Sequence, residues 1–246
     1  MLEPTLETDK YKNLLLDVGH ELRNINRIIK SSSEVLTRAI EGEKIDRQAL
    51  ECHIERVFDN AYLTSLWLDV INYETNPDFF IQEEKIPRNI HAKFYKAARC
   101  FKCLCREKSI KINKLSGEVT TNILTFQVID ILPYLIYDNC VKYSPNSGQV
   151  ETEFVELNDS IDITVSSIGP SLEEDEINHV FMKGFRGKNA RKLKVTGSGR
   201  GLNFLKFICD IHNADIKIKS AKEKIEYNNV PYSEFTYNIR FQKNFA

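Results

Sequence analysis

With 246 residues, 42% of them hydrophobic and 28% charged, the chain can bury a real core, which excludes an intrinsically disordered segment. A formal net charge of −1 gives no global attraction to nucleic acid or to an anionic membrane, so any basic site must be local. No apolar run approaches the roughly 18–20 residues of a membrane helix, and MLEPTLETDKYK lacks a secretory layout, so a cytoplasmic location with the cysteines as thiols is expected.

Residues 11 to 40 carry apolar or small side chains at Leu15, Val18, Leu22, Ile25, Ile29, Ser32, Leu36 and Ala39, in alternating steps of three and four. That is a heptad seam on a helix. Gly42 interrupts it, and a second seam follows through Leu50, Ile54, Val57, Ala61, Thr64, Leu68 and Ile71. Two seams around a short turn predict an antiparallel helical hairpin. One hairpin buries little by itself, so two copies are expected to form a four-helix bundle in a homodimer. The alternative is a hairpin packed on its own chain's second domain.

Within GHELRN, His20 falls at heptad position f, on the outer face of the helix. Glu21 beside it can accept the ring proton, and Asn24, one turn further on, can orient a water or a phosphoryl group. Taken alone, these are ordinary surface residues.

After Asn76-Pro77 the period changes. Alternation predicts strands at 109–115, 149–157, 160–166, 214–220 and 233–241, with helices near 88–107, 123–142 and 200–212. The expected fold class is α+β multidomain, with a hairpin domain at 1–75 and a two-layer α/β sandwich at 76–246. Cys100, Cys103 and Cys105 lie in a helical run with no second close pair, and read as packing rather than as a metal site.

The helix expected to begin near Ile123 ends in DNCVKYSP. Asn139 and Lys142 share a face there; an amide oxygen suits Mg²⁺ and an ammonium suits phosphate, while Tyr143 offers a flat face to a base or sugar. In GSGRGL, Gly197, Gly199 and Gly201 precede a helix, where bare backbone amides can approach an anion. The Lys- and Arg-rich run FMKGFRGKNARKLK leads into it, as a basic loop suited to covering a polyphosphate.

Taken in order, GHELRN, DNCVKYSP, SSIGPSL, FMKGFRG and GSGRGL resemble the boxes of bacterial sensor histidine kinases, across nearly the whole chain. The resemblance implies a dimerisation and phosphotransfer hairpin followed by a gyrase-type ATP-binding domain. It implies His20 as phosphoacceptor, Glu21 as its acid/base partner, and Asn24 as the residue that places a water when the partner is dephosphorylated. Asn139 would hold Mg²⁺, Lys142 and Arg186 would face phosphates, and Tyr143 would pack near adenine or ribose. Phe181 and Phe185 would anchor the lid, while Gly197, Gly199, Gly201 and Leu202 would form the second glycine box. The implied cofactors are ATP and Mg²⁺. The implied partners are a second copy, a response regulator receiver domain and a separate sensory protein, with no nucleic acid and no membrane span.

At the first glycine box the family carries Asp-x-Gly-x-Gly, where this chain has Ser167, Ile168, Gly169, Pro170 and Ser171. Exchanging a charged acceptor for a neutral one weakens adenine recognition by about 1–2 kcal/mol, or roughly 5- to 30-fold. Asn26 replaces the usual proline of the first box, and Tyr134 stands where the family often has another Asn. The phosphate and metal groups are all retained, so the expectation is a working but altered ATP pocket. A pseudokinase or phosphotransfer scaffold is the alternative, and an ATP-driven switch or serine kinase of the same fold a third reading.

Overall fold

In the computed structural model, residues 4–82, 84–193, 195, 197 and 199–243 are described. They divide into two compact units, Met1–Phe79 and Phe80–Ala246.

The first unit is two helices, α1 (Pro4–Ile40) and α2 (Arg47–Thr75). Gly42 adopts φ +102°, a left-handed value that closes α1 without a Cβ penalty. Asp46 restarts the chain by accepting hydrogen bonds from the amides of Gln48 and Ala49, at 3.0 and 3.1 Å. Across the pair, Ser32 is fully buried and its hydroxyl lies 3.2 Å from His53 Nδ1. Val18, Ile25 and Ser32 form the buried line of α1, as the first seam requires.

The second seam is covered only in part within one chain. Ile54 and Leu68 are half or more exposed, and Ala61 is exposed with them. The inward face of α2 instead runs through His53, Asn60 and Val70. The outer apolar line, which also includes Phe58, is a second face that the fold of one chain leaves uncovered.

The second unit opens with β1 (Ile86–Arg88), α3 (Ile90–Cys100), α4 (Lys102–Glu107), β2 (Lys111–Ile112) and β3 (Ile123–Thr125). It continues through α5 (Leu132–Tyr143), β4 (Gln149–Glu156), β5 (Ser160–Pro170), α6 (Glu174–Ile177) and α7 (Lys188–Arg191). It ends with α8 (Gly201–Ile211), β6 (Asp215–Ser220), β7 (Ile225–Tyr227) and β8 (Val230–Gln242). The main sheet runs β2-β4-β5-β8-β6, with β7 hydrogen-bonded to β8 and only the β2–β4 pair parallel. Strand β4 alternates as its sequence does, burying Val150, Thr152 and Phe154. Helices α3, α5 and α8 supply Phe94, Tyr137 and Phe204 to the core, and the Phe94 ring packs edge-on to Phe154 at 5.4 Å. Tyr137 Oη and Thr152 Oγ1 pair at 2.9 Å inside it, so neither hydroxyl is buried unsatisfied.

The helix expected from Ile123 begins at Leu132 instead. Residues 123–125 pair with β1, and a 3₁₀ turn over Gln127–Ile131 connects them to α5. The apolar run here fits either period, and tertiary pairing decides it. Pro133 sits in the first turn of α5, the one helical site a proline tolerates. Only Lys111–Ile112 of the strand expected at 109–115 pairs as β2. Strand β7, unforeseen from alternation, is held by Asn228 and Asn229, both at positive φ in the tight turn into β8.

Four cysteines, Cys100, Cys105, Cys140 and Cys209, are free and buried. Cys52 is disulfide-bonded, contrary to the thiol expectation, because pairing depends on which thiols the fold brings together rather than on composition. Tyr134 is buried with its hydroxyl 3.1 Å from Cys100 Sγ, a packing role.

His212 ties β3's exit to α8. Its Nε2 accepts from the Phe126 amide at 3.0 Å and its Nδ1 faces the Ile208 carbonyl at 2.6 Å, which requires the neutral ring. Burial holds the imidazole down at about 4. The unfolded ring takes up its proton near 6.5, so stability from this group is complete above that pH and is lost as pH falls from 6.5 towards 4. The loss is about 3 kcal/mol over that window. Urea midpoints from pH 7 to pH 4 should converge between wild type and a His212→Asn variant; a constant difference would exclude the linkage.

Candidate functional site

The site grows from the C-terminal turn of α5. Its last carbonyls, which no intrahelical amide can reach, are capped by Lys108, whose Nζ donates to Val141 O at 2.8 Å and Lys142 O at 2.9 Å. Burial lowers the Lys108 pKa, and Asp138 opposes the shift. Asp138 itself is pushed up by burial, with Lys142 and Lys108 pulling it back. A carboxyl and two ammonium groups are thus gathered behind the turn that presents Asn139, Lys142 and Tyr143.

Asn139 is half-buried, and its side chain hydrogen-bonds the hydroxyl of Tyr237, a fully enclosed residue of β8. An amide N–H donated to the phenol in this way does not use the amide oxygen. Ser167 sits on β5 in register with Val150 and Phe235, and is 7% exposed. Its hydroxyl pairs with the thiol of Cys140, which burial pushes up to about 12. A hydroxyl that donates to the Cys140 thiol keeps its own oxygen lone pairs, so Ser167 retains a neutral acceptor where the family has an acid. Gly169, two residues on, pairs with Ser233 in the same strand.

The glycine run meets this turn directly. A Cβ on Gly197 would lie 3.2 Å from Lys142 Nζ and 3.4 Å from Tyr143 Oη. Gly199, at φ +70°, packs so closely on the loop that a Cβ would stand 2.5 Å from Phe185 O and 2.6 Å from Gly184 C. The Gly184 amide donates to Gly199 O at 3.1 Å. Gly201 opens α8, with Leu202 half-buried behind it. Phe181 and Phe185 are half-buried, and Asn203 Nδ2 holds the Phe181 carbonyl at 3.0 Å. Segments 139–143, 181–186 and 197–201, remote in sequence, thus converge, and the bare glycine backbone forms the cradle an anion requires.

Arg186 departs from its expected role. Its Nη2 donates to the carbonyls of Ala190 at 3.1 Å and Val195 at 3.0 Å, so it braces the basic loop rather than facing out of it. That loop is also less open than its composition suggests, because α7 forms inside it.

Several residues of the site were not apparent in the sequence. Glu176 is 4% exposed and accepts from the amides of Glu173 at 3.0 Å and Lys188 at 2.7 Å, fixing the base of the loop. Asn189 donates to Ser171 O at 3.0 Å and faces Ser171 Oγ at 3.1 Å. The spacing of Glu173 and Glu176 is the one readable signal, since it makes a capping box. In the first unit, Asn24 is half-buried on α1. The side chains of His20 and Glu21 lie outside the described residues.

Residues 134–242 match the family described as histidine kinase-, DNA gyrase B-, and HSP90-like ATPase. Over 227 residues the chain is 22% identical to the sensor protein CiaH of Streptococcus pneumoniae, covering 91% of this chain and 50% of that one. The family match covers residues 134–242, and the relatives that align along most of the chain are named as sensor proteins and sensor histidine kinases. The chain's fold is that of the histidine kinase ShkA, solved full-length in complex with AMPPNP, at a TM-score of 0.54 and 17% identity over 96% of this chain and 47% of that one. It is similarly like the histidine kinase ThkA, solved with the response regulator protein TrrA, at a TM-score of 0.52 and 14% identity over 98% of this chain and 64% of that one. The chain spans about half the length of CiaH. No helix among the described residues is long and apolar enough to cross a membrane.

Proposed function

We propose that this histidine kinase relative is an ATP-dependent, autophosphorylating protein kinase acting in the cytoplasm. It passes its phosphoryl group to an aspartate of a response regulator, and also removes it. The reading rests on one observation above others: the Gly197 backbone lies against Lys142 and Tyr143 while Gly199 lies against Phe185. A polyphosphate is the chemistry that such a bare, cation-flanked cradle accommodates.

In this reading Lys142 neutralises phosphate, Tyr143 packs against the nucleoside, and Asn139 supplies an amide oxygen to Mg²⁺. Held there, Mg²⁺ would supply charge neutralisation to the phosphate. The ring nitrogen of His20 attacks the γ-phosphorus, the N–P bond forms, the bond to the β,γ-bridging oxygen breaks, and ADP leaves. Glu21 takes the ring proton. A receiver-domain aspartate then accepts the phosphoryl group, and Asn24 orients a water for the reverse, hydrolytic function. Positioning and charge neutralisation carry such a reaction. The uncovered line through Ile54, Phe58 and Leu68 supports a homodimeric four-helix bundle, since burying the exposed half of those side chains against a second copy contributes roughly 1 kcal/mol each.

The neutral hydroxyl of Ser167, in place of the family's acid, favours weaker base recognition and gives the scaffold reading its best support. Calorimetry decides between them. Wild type should bind Mg·ATP, and Ser167→Asp combined with Cys140→Ala should tighten binding by about 5- to 30-fold. No heat with millimolar Mg·ATP in either protein would leave a scaffold.

A further inference from the structure

An open groove of about 610 Å³ lies among α3, α4 and β2, away from the glycine cradle and independent of the nucleotide reading. Arg99, Lys102 and Arg106 line it from the helical side, and Lys111 and Lys114 from the strand side. No carboxylate lines it, and among the described residues none of these five cations has an acidic partner within ion-pair distance. Elsewhere in the unit the pattern differs. Arg88 and Lys93 share Asp130, Arg240 pairs with Asp162, and Lys243 pairs with Glu156. In a chain of net charge −1, five unneutralised cations around one groove make a local field that an external anion would complete.

Two further features narrow the anion. The floor is apolar, with Ile110 buried and Ile112 half-buried, and Tyr95 stands 56% exposed beside it. A fully hydrated ion gains nothing from such a floor. Strand β2 is also the end of the sheet. The amides of Lys111 and Asn113 donate to Gly148 O and Val150 O, each at 3.0 Å. The amide of Ile112, between them, therefore faces the outer edge, where an extended chain can add.

We infer that this groove docks an acidic, partly apolar segment of a partner protein, laid along the free edge of β2. Its carboxylates would lie between the two cationic banks, and an apolar side chain would rest on Ile110 and Ile112. Lysines that merely discourage edge pairing would need neither the apolar floor nor the second, helical bank.

Fluorescence anisotropy of the full chain with a fluorescein-labelled peptide of alternating Glu and Val tests this. Saturable binding is expected at low salt, with loss at about 1 M salt, where screening shortens to about 3 Å. Lys102→Glu with Lys111→Glu, one residue from each bank, should weaken binding at least about tenfold. Two probes act on the peptide alone, so their result stands even if that variant misfolds. An all-Glu peptide and an Glu/Val peptide N-methylated at alternate amides should both bind at least about tenfold more weakly. Equal binding by either, or insensitivity to charge reversal in a folded variant, overturns the proposal. So does tighter binding of tripolyphosphate or phosphatidylglycerol vesicles at the same cations, which would assign the groove to a compact polyanion or a membrane.

Discussion

His20→Gln is expected to remove all phosphoryl label from the chain after incubation with Mg²⁺ and γ-labelled ATP. Glutamine keeps comparable bulk and polarity but has no nucleophilic ring nitrogen. The wild-type label should be acid-labile and base-stable, as an N–P bond is. The variant should still bind Mg·ATP as wild type does, because Asn139, Lys142, Tyr143 and the glycine run all belong to the second unit. That split between retained binding and lost transfer separates a missing nucleophile from a collapsed protein. Label that survives in His20→Gln, or that resists acid, would assign the acceptor to another residue and move the chain to the serine-kinase or switch reading.

Gly199→Ala is expected to damage the site more than any other single methyl group added to the glycine run. Its φ of +70° costs an L-residue about 1–2 kcal/mol before any contact is considered. The new Cβ would also stand 2.5 Å from Phe185 O and 2.6 Å from Gly184 C, both backbone atoms that cannot rotate away. Overpacking of that kind adds about 1–3 kcal/mol. The Gly184–Gly199 hydrogen bond should break, and the basic loop should separate from the start of α8. Mg·ATP affinity should fall at least about tenfold, since about 1.4 kcal/mol suffices for that factor. Gly201→Ala is the control for stability. Its Cβ would meet only Leu135 Cδ2 at 3.8 Å, within a helix, so its unfolding free energy from urea titration should stay within about 0.5 kcal/mol of wild type. Equal effects from the two substitutions would mean that glycine content, rather than the loop contact, matters.

Much of the fold was legible because it follows from local repetition. The heptad steps of α1, the alternation of β4 and β8 and the glycine stop at Gly42 all appear where their periods place them. The failures are equally physical. Residues 123–131 interleave apolar side chains with Thr125, Gln127 and Asp130, so neither period wins locally, and pairing with β1 makes the first three a strand. The second helical seam is covered only in part, because α2 carries two apolar lines and α1 covers only one. Arg186 has the chemistry of a phosphate ligand, yet the carbonyls of Ala190 and Val195 occupy its Nη2.

By itself the sequence determined which chemical groups are available and in what order: an imidazole on the first helix, an amide and an ammonium one turn apart, and three glycines ahead of α8. Only the tertiary structure decided how those groups are used. It joined Ser167 to Cys140, set Lys108 under the end of α5, brought Gly197 against Lys142, and lined one groove with cations from separate elements. The reason is one of range. Periodicity and turn chemistry act over a few residues, whereas contacts between distant residues depend on strand register and helix packing, which the whole core sets at once.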